Sequence, residues 1–194
     1  MAAIKLIIAA IIFLTIPLVA TAQVTYQLAQ SPAVFIKVSG KSNIHDWVMT
    51  TKGIESQAKF KLDGNNLADV TSLSFSVAAE SLKSGKSTMD NRTYKTIKAD
   101  QYPNITYRLT SATVSHISQK NYLVKTKGEL TIAGVTQPIN VSVNATVNAD
   151  NTITCTGTAN IKLTDYGIKP PSFVLGTMKV YNDLAIQFTL IYKK

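Results

Sequence analysis

Thr71-Ser72-Leu73-Ser74-Phe75-Ser76-Val77-Ala78-Ala79 is the stretch on which the fold class turns. Leu73, Phe75 and Val77 share one parity, and Ser72, Ser74 and Ser76 share the other. Successive side chains of a strand point to opposite faces, so this segment reads as a strand with one apolar and one wet face. The same period of two returns on both sides of it. Val34, Ile36 and Val38 alternate upstream; Ile105, Tyr107 and Leu109 alternate downstream, then Ile139, Val141, Val143, Ala145 and Val147. Residues 153–163 and 184–192 repeat it, the latter with Leu184, Ile186, Phe188 and Leu190 in phase. Asp63-Gly64-Asn65 and residues 148–151 carry turn chemistry between runs. Gly134 is suited to positive φ in a tight hairpin, and Pro138, with no amide hydrogen, is expected at the start of a strand.

One segment departs from the pattern. Ser87 with Asp90 resembles a capping box, Met89, Thr93 and Ile97 fall four apart, and Tyr102-Pro103 stops the element. The spacing predicts a helix over 88–99. Many antiparallel strands with one short helix make an all-β sandwich or barrel, and periodicity leaves that choice open.

Near the start, Lys5 precedes an apolar run over 6–20, which ends in Ala20-Thr21-Ala22. A run this short, broken by Pro17 and followed by small residues, reads as a signal peptide over 1–22. Residues 23–194 then form one exported domain. The net charge is +9, and of the 20 Lys and Arg only Lys5 falls in the leader. The positive charges are scattered and not interleaved with aromatics, which with export argues against a nucleic-acid partner. The single cysteine, Cys155, excludes an intrachain disulfide and fits a small buried apolar role.

Catalytic signatures are missing. His45 and Asp46 are neighbours, so on a strand they face opposite ways, and no G-x-S-x-G elbow is present. His45 and His116 share no ligand spacing with each other or with Cys155, which argues against a metal site. Phosphate-cradling glycine loops are absent, so no cofactor is expected and the chain does not read as an enzyme.

Four segments in order resemble the YceI-like family of periplasmic lipid-binding proteins. They are Lys41-Ser42-Asn43-Ile44-His45-Asp46-Trp47; Met89-Asp90 through Tyr102-Pro103-Asn104-Ile105; residues 128–138, from Gly128-Glu129-Leu130 to Thr136-Gln137-Pro138; and Asp165-Tyr166-Gly167-Ile168-Lys169-Pro170-Pro171. The resemblance implies an eight-stranded antiparallel, lipocalin-like β-barrel with one short helix. It implies a periplasmic location and a hydrophobic tunnel for a polyisoprenoid, quinone-like or fatty lipid. Within that frame the expected interior positions are Trp47, Phe75, Val77, Ile105, Tyr107, Val141, Val143, Ile186 and Phe188. Phe60 and Phe173 are further large side chains available to an interior. His45, Arg92 and Lys95 are expected at a headgroup-binding mouth, with Arg92, Lys95 and Lys98 near one helix face. Peripheral membrane contact and a homodimer are left open. The alternative is a filled barrel that acts through its loops as an envelope interaction module.

Overall fold

The structure is a computed structural model and describes residues 24–173 and 175–194. The expected signal peptide over 1–22 lies outside the described residues. Eleven strands and one α-helix follow in chain order: β1 (Val24–Leu28), β2 (Phe35–Ser42), β3 (Asp46–Thr51), β4 (Ile54–Asp63), β5 (Asn66–Ala78), α1 (Ser87–Thr96), β6 (Asn104–Ser118), β7 (Asn121–Ile132), β8 (Val135–Val147), β9 (Ile153–Lys162), β10 (Ser172–Phe173) and β11 (Met178–Lys193). All the named pairings are antiparallel.

The strands close into a ring of eight positions. The order runs β1-β4-β5-β6-β7-β8-β9-β11, and β11 returns to β1 through Leu28↔Tyr192. Strands β1 and β2 lie end to end along β11, while β3 and β4 lie end to end beside them. Ten segments therefore fill eight places in a closed, lipocalin-like β-barrel, and closure removes the exposed edges an open sheet would carry. Beyond the ring, β10 pairs with the start of β11.

The turns follow local chemistry. Gly64 adopts φ 57° between β4 and β5. Between β7 and β8, Ala133 (φ 50°) and Gly134 (φ 77°) are both left-handed, the geometry of a two-residue hairpin. Gly134 has a second reason to be glycine, since a Cβ there would sit 2.3 Å from the Tyr102 ring. Pro138 is not at the start of its strand but inside β8, opposite Glu129. Strand β8 meets β9 only from Val143 to Val147, so the missing amide on that free edge costs no ladder bond.

Helix α1 is shorter at its C-terminal end than the spacing predicts, because Lys98 turns left-handed at φ 53°. The expected box between Ser87 and Asp90 does not form. Lys86 is the N-cap, without a side-chain cap, and the Asp90 carboxylate accepts instead from the Ser84 amide (2.8 Å) and hydroxyl (2.6 Å). These bonds hold the Asp90 carboxyl below the usual carboxylate range. Tyr94 fastens the helix to the preceding segment, its hydroxyl donating to the Leu82 carbonyl (2.7 Å) and accepting from Lys83 (2.8 Å).

Two apolar clusters bracket the barrel. At the end away from α1, Tyr26, Phe60 and Tyr192 pack edge-on among Ile153, Tyr122 and Ala145. Beneath α1, Ile97 packs with Leu130, Ile132, Ile161, Leu163 and Tyr166. No helix among the described residues is long and apolar enough to cross a membrane.

Candidate functional site: an apolar cavity with a basic mouth

Between the two clusters the barrel is hollow. Tyr26, Ile153 and Tyr192 at the closed end are 0% exposed, whereas Leu73, Phe75, Val141, Val143, Ile186 and Phe188 point inward yet stay half-buried. Inward side chains keep accessible surface only if the space before them is unfilled. That space is a cavity of about 640 Å³, within the range of small-molecule sites and unlike the close packing of an ordinary core.

All nine residues expected inside from the sequence line this cavity. Strand pairing explains why they converge: β5 and β6 bring Phe75 opposite Tyr107 and Val77 opposite Ile105. Phe75 and Tyr107 stack with centroids 5.3 Å apart. Val141 and Val143 come from β8, Ile186 and Phe188 from β11, and Trp47 from β3.

What sequence reading missed is how the rings are kept out of the lumen. Gly40, Gly128 and Gly157 occupy the inward-facing parity of β2, β7 and β9, and an aromatic ring lies on each. A Cβ would stand 2.2 Å from the Trp47 ring at Gly40, 2.4 Å from Tyr107 at Gly128 and 2.6 Å from Phe188 at Gly157. Each glycine lets a large side chain lie along the wall instead of across the tunnel. The available signal was a glycine at an inward position of an alternating strand, which marks a close approach.

The interior is almost wholly apolar. The exceptions are local: Tyr107 donates to Thr126 (3.4 Å), whose hydroxyl donates to the Val141 carbonyl (3.0 Å). Burial raises the Tyr107 phenol and pushes the Cys155 thiol up to about 12, so both are neutral at ordinary pH. The Trp47 indole N–H is buried without an acceptor among the described residues.

The opposite character appears where α1 meets the β2–β3 turn and β10. The ionisable cavity-lining groups there are His45, Lys86 and Arg92, and among the described residues no carboxylate lines the cavity. Arg92 lies with its guanidinium carbon 4.4 Å from the centre of the Phe173 ring, a cation–π contact across the opening. His45 bonds through Nδ1 to the Asp46 carbonyl (2.9 Å), so the adjacent carboxylate does not orient it. Lys95 stands apart from its neighbour: it is exposed and does not line the cavity, and Lys98 lies beyond the helix. Lys86, Met89, Thr93 and Met178 line the site without having been singled out for it. No group of three or more His, Cys, Asp or Glu that could hold a metal occurs among the described residues.

The comparisons with known proteins agree with this architecture. The family model of the YceI-like domain matches residues 20–192. Similar solved structures include BcnA of Burkholderia cenocepacia, with TM-score 0.62 and 23% identity, covering 80% of this chain and 95% of that one. A polyisoprenoid binding domain from Saccharophagus degradans, implicated in plant cell wall breakdown, has TM-score 0.63 and 13% identity over 89% and 99% of the two chains. The YCEI protein of Campylobacter jejuni has TM-score 0.57 and 20% identity over 79% and 85%. At these identities the likeness is one of fold. No curated protein matches the chain. With the family model spanning nearly all of it, the chain belongs to the YceI-like domain family.

Proposed function

We propose that the barrel sequesters or carries one long-chain amphiphile, with its tail in the cavity and its headgroup among His45, Lys86 and Arg92. The observation that carries this is the pairing of a continuous apolar lumen with a mouth whose ionisable lining groups are all basic. The similar Saccharophagus degradans domain is described as polyisoprenoid binding, which supports an isoprenoid or a lipid of like shape as the first candidate.

Magnitudes favour burial as the driving force. The cavity of about 640 Å³ holds on the order of twenty groups at the roughly 30 Å³ of a liquid water. At about 0.8 kcal/mol per buried CH₂, a tail that fills it gains on the order of 16 kcal/mol. Association costs roughly 4–15 kcal/mol in lost freedom. The tail therefore supplies affinity without specific contacts, while the mouth selects the head. No bond is made or broken in this role, and no cofactor takes part. The unfilled lumen weighs against a filled barrel acting through its loops alone.

The leader over 1–22 supports export and action in the periplasm, which the mass of the mature N-terminus would test. Trp47, the only tryptophan, borders the cavity and serves as the reporter for binding. Titration with a farnesyl or longer isoprenoid phosphate is expected to change its emission saturably at one ligand per chain. Val143→Phe, which fills the lumen from β8 and leaves Trp47 in place, is expected to abolish that change. Binding unaffected by that obstruction would exclude the cavity as the site.

A further inference from the structure

We infer that the end of the barrel carrying the β2–β3 and β10–β11 turns docks on an anionic lipid bilayer, with Ile44 and Leu175 inserted between headgroups. This rests on the amphiphile-binding reading, because it assigns the surface across which that ligand enters and leaves.

Six large apolar side chains stand exposed among the described residues, and four of them sit at or beside these two turns: Ile44, Val48, Leu175 and Tyr181. Ile44 is 58% exposed at one turn, and Leu175 is fully exposed at the other. Ile117 lies on the far side, at the β6–β7 turn. Apolar side chains left in water at two adjacent tips have no folding role, since removing them from water is what folding ordinarily gains.

The two turns are hydrogen-bonded to each other. The Asn43 side-chain amide donates to the Thr177 carbonyl (2.8 Å), the Asn43 backbone N–H to the Lys179 carbonyl (3.0 Å), and the Lys179 N–H to the Asn43 side-chain oxygen (2.8 Å). Ile44 and Leu175 are thus carried on turns that are linked to each other.

Charge and position identify the occupant as a bilayer. Lys41 and Lys179 flank the tips, and Lys86 and Arg92 line the mouth beside them. Acidic groups on the same strands are Asp46, 4.0 Å from Lys41, and Asp183. Apolar tips ringed by long cationic side chains suit an interface where the tips enter the acyl boundary and the ammonium groups stay among phosphates. The cavity opens between these tips and α1, through Ser42, His45, Phe173 and Met178. A tail passing between membrane and lumen there need not cross water. A flat protein partner would not need the apolar groups confined to turn tips.

The test is density-gradient flotation of the mature chain with phosphatidylcholine vesicles containing phosphatidylglycerol. The parent is expected to float with the vesicles, less so at high salt, because exposed charges are screened. The Ile44→Ser/Leu175→Ser double variant is expected to lose at least tenfold in partition, and Ile117→Ser none. A parent that stays at the bottom of the gradient, or a double variant that floats equally, would overturn the proposal. Uptake of farnesyl phosphate from water, read on Trp47, separates the two readings. Uptake retained without flotation discards the docking surface and leaves the cavity reading standing; flotation without uptake discards the cavity reading instead.

Discussion

At Gly40, Gly128 and Gly157 a hydrogen stands where strand parity would place an inward side chain, and an aromatic ring has taken the space. A methyl group at Gly40 would press on the Trp47 ring and on the Leu184 methyl at 2.8 Å, so neither neighbour can give way freely. Gly40→Ala is expected to lower stability by about 1–3 kcal/mol through overpacking, read in urea unfolding, and to shift the Trp47 emission of the folded protein. Cys155 makes a second residue-scale prediction. Its folded value of about 12 lies above the ordinary thiol, as Tyr166's, also about 12, lies above the ordinary phenol. Groups raised in this way stabilise the fold fully below their unfolded values, and that contribution is lost as pH rises toward the folded ones. Stability should therefore fall between about pH 9 and pH 12, and Cys155→Ala should make the fall shallower in melting-temperature scans. At this scale the sequence was readable wherever a residue's role depended on parity: alternation put Phe75, Tyr107 and Phe188 on the apolar faces of their strands, and the family resemblance turned those faces inward. The glycines beneath the rings could not be read this way, because a close approach joins residues on different strands and leaves no local spacing.

Among the elements, α1 covers one end of the barrel and lines its mouth. Its inward side carries Met89, Thr93 and Ile97, four apart, and that spacing was legible. The cationic row was not: Arg92, Lys95 and Lys98 look equivalent at intervals of three, but one faces the cavity, one faces water and one follows the helix. Helix spacing fixes relative direction, whereas the sheet beneath decides which direction is inward. Arg92→Glu is accordingly expected to weaken binding of an isoprenoid phosphate at least tenfold, while Lys95→Glu changes it less than twofold, both by Trp47 titration. Asp90 anchors the segment before the helix through Ser84. Its carboxyl is depressed by those hydrogen bonds, so its stabilising effect is present above the unfolded aspartate value of about 3.9 and is lost as pH falls through the folded one. The stability difference between the parent and Asp90→Asn should be clear at neutral pH and vanish in acid, which denaturant melts across that range would show.

Taken whole, the molecule is a ring of eight strand positions packed at one end, lidded at the other and hollow between. Alternation announced antiparallel strands, and the family resemblance supplied closure, which periodicity could not. Ring closure depends on Tyr192 meeting Leu28 across nearly the full chain, a long-range pairing with no local signature. Nor does sequence reveal whether inward side chains meet in the middle; that depends on strand tilt and on the three wall glycines together. The cavity is the central claim, and native mass spectrometry of the mature protein, purified without detergent from the cells that make it, tests it most directly. The expected result is a complex of one chain with one lipid, releasing on solvent extraction a long-chain amphiphile with an anionic or strongly polar head. A spectrum of bare protein alone, unchanged after incubation with long-chain isoprenoid phosphates, would contradict it.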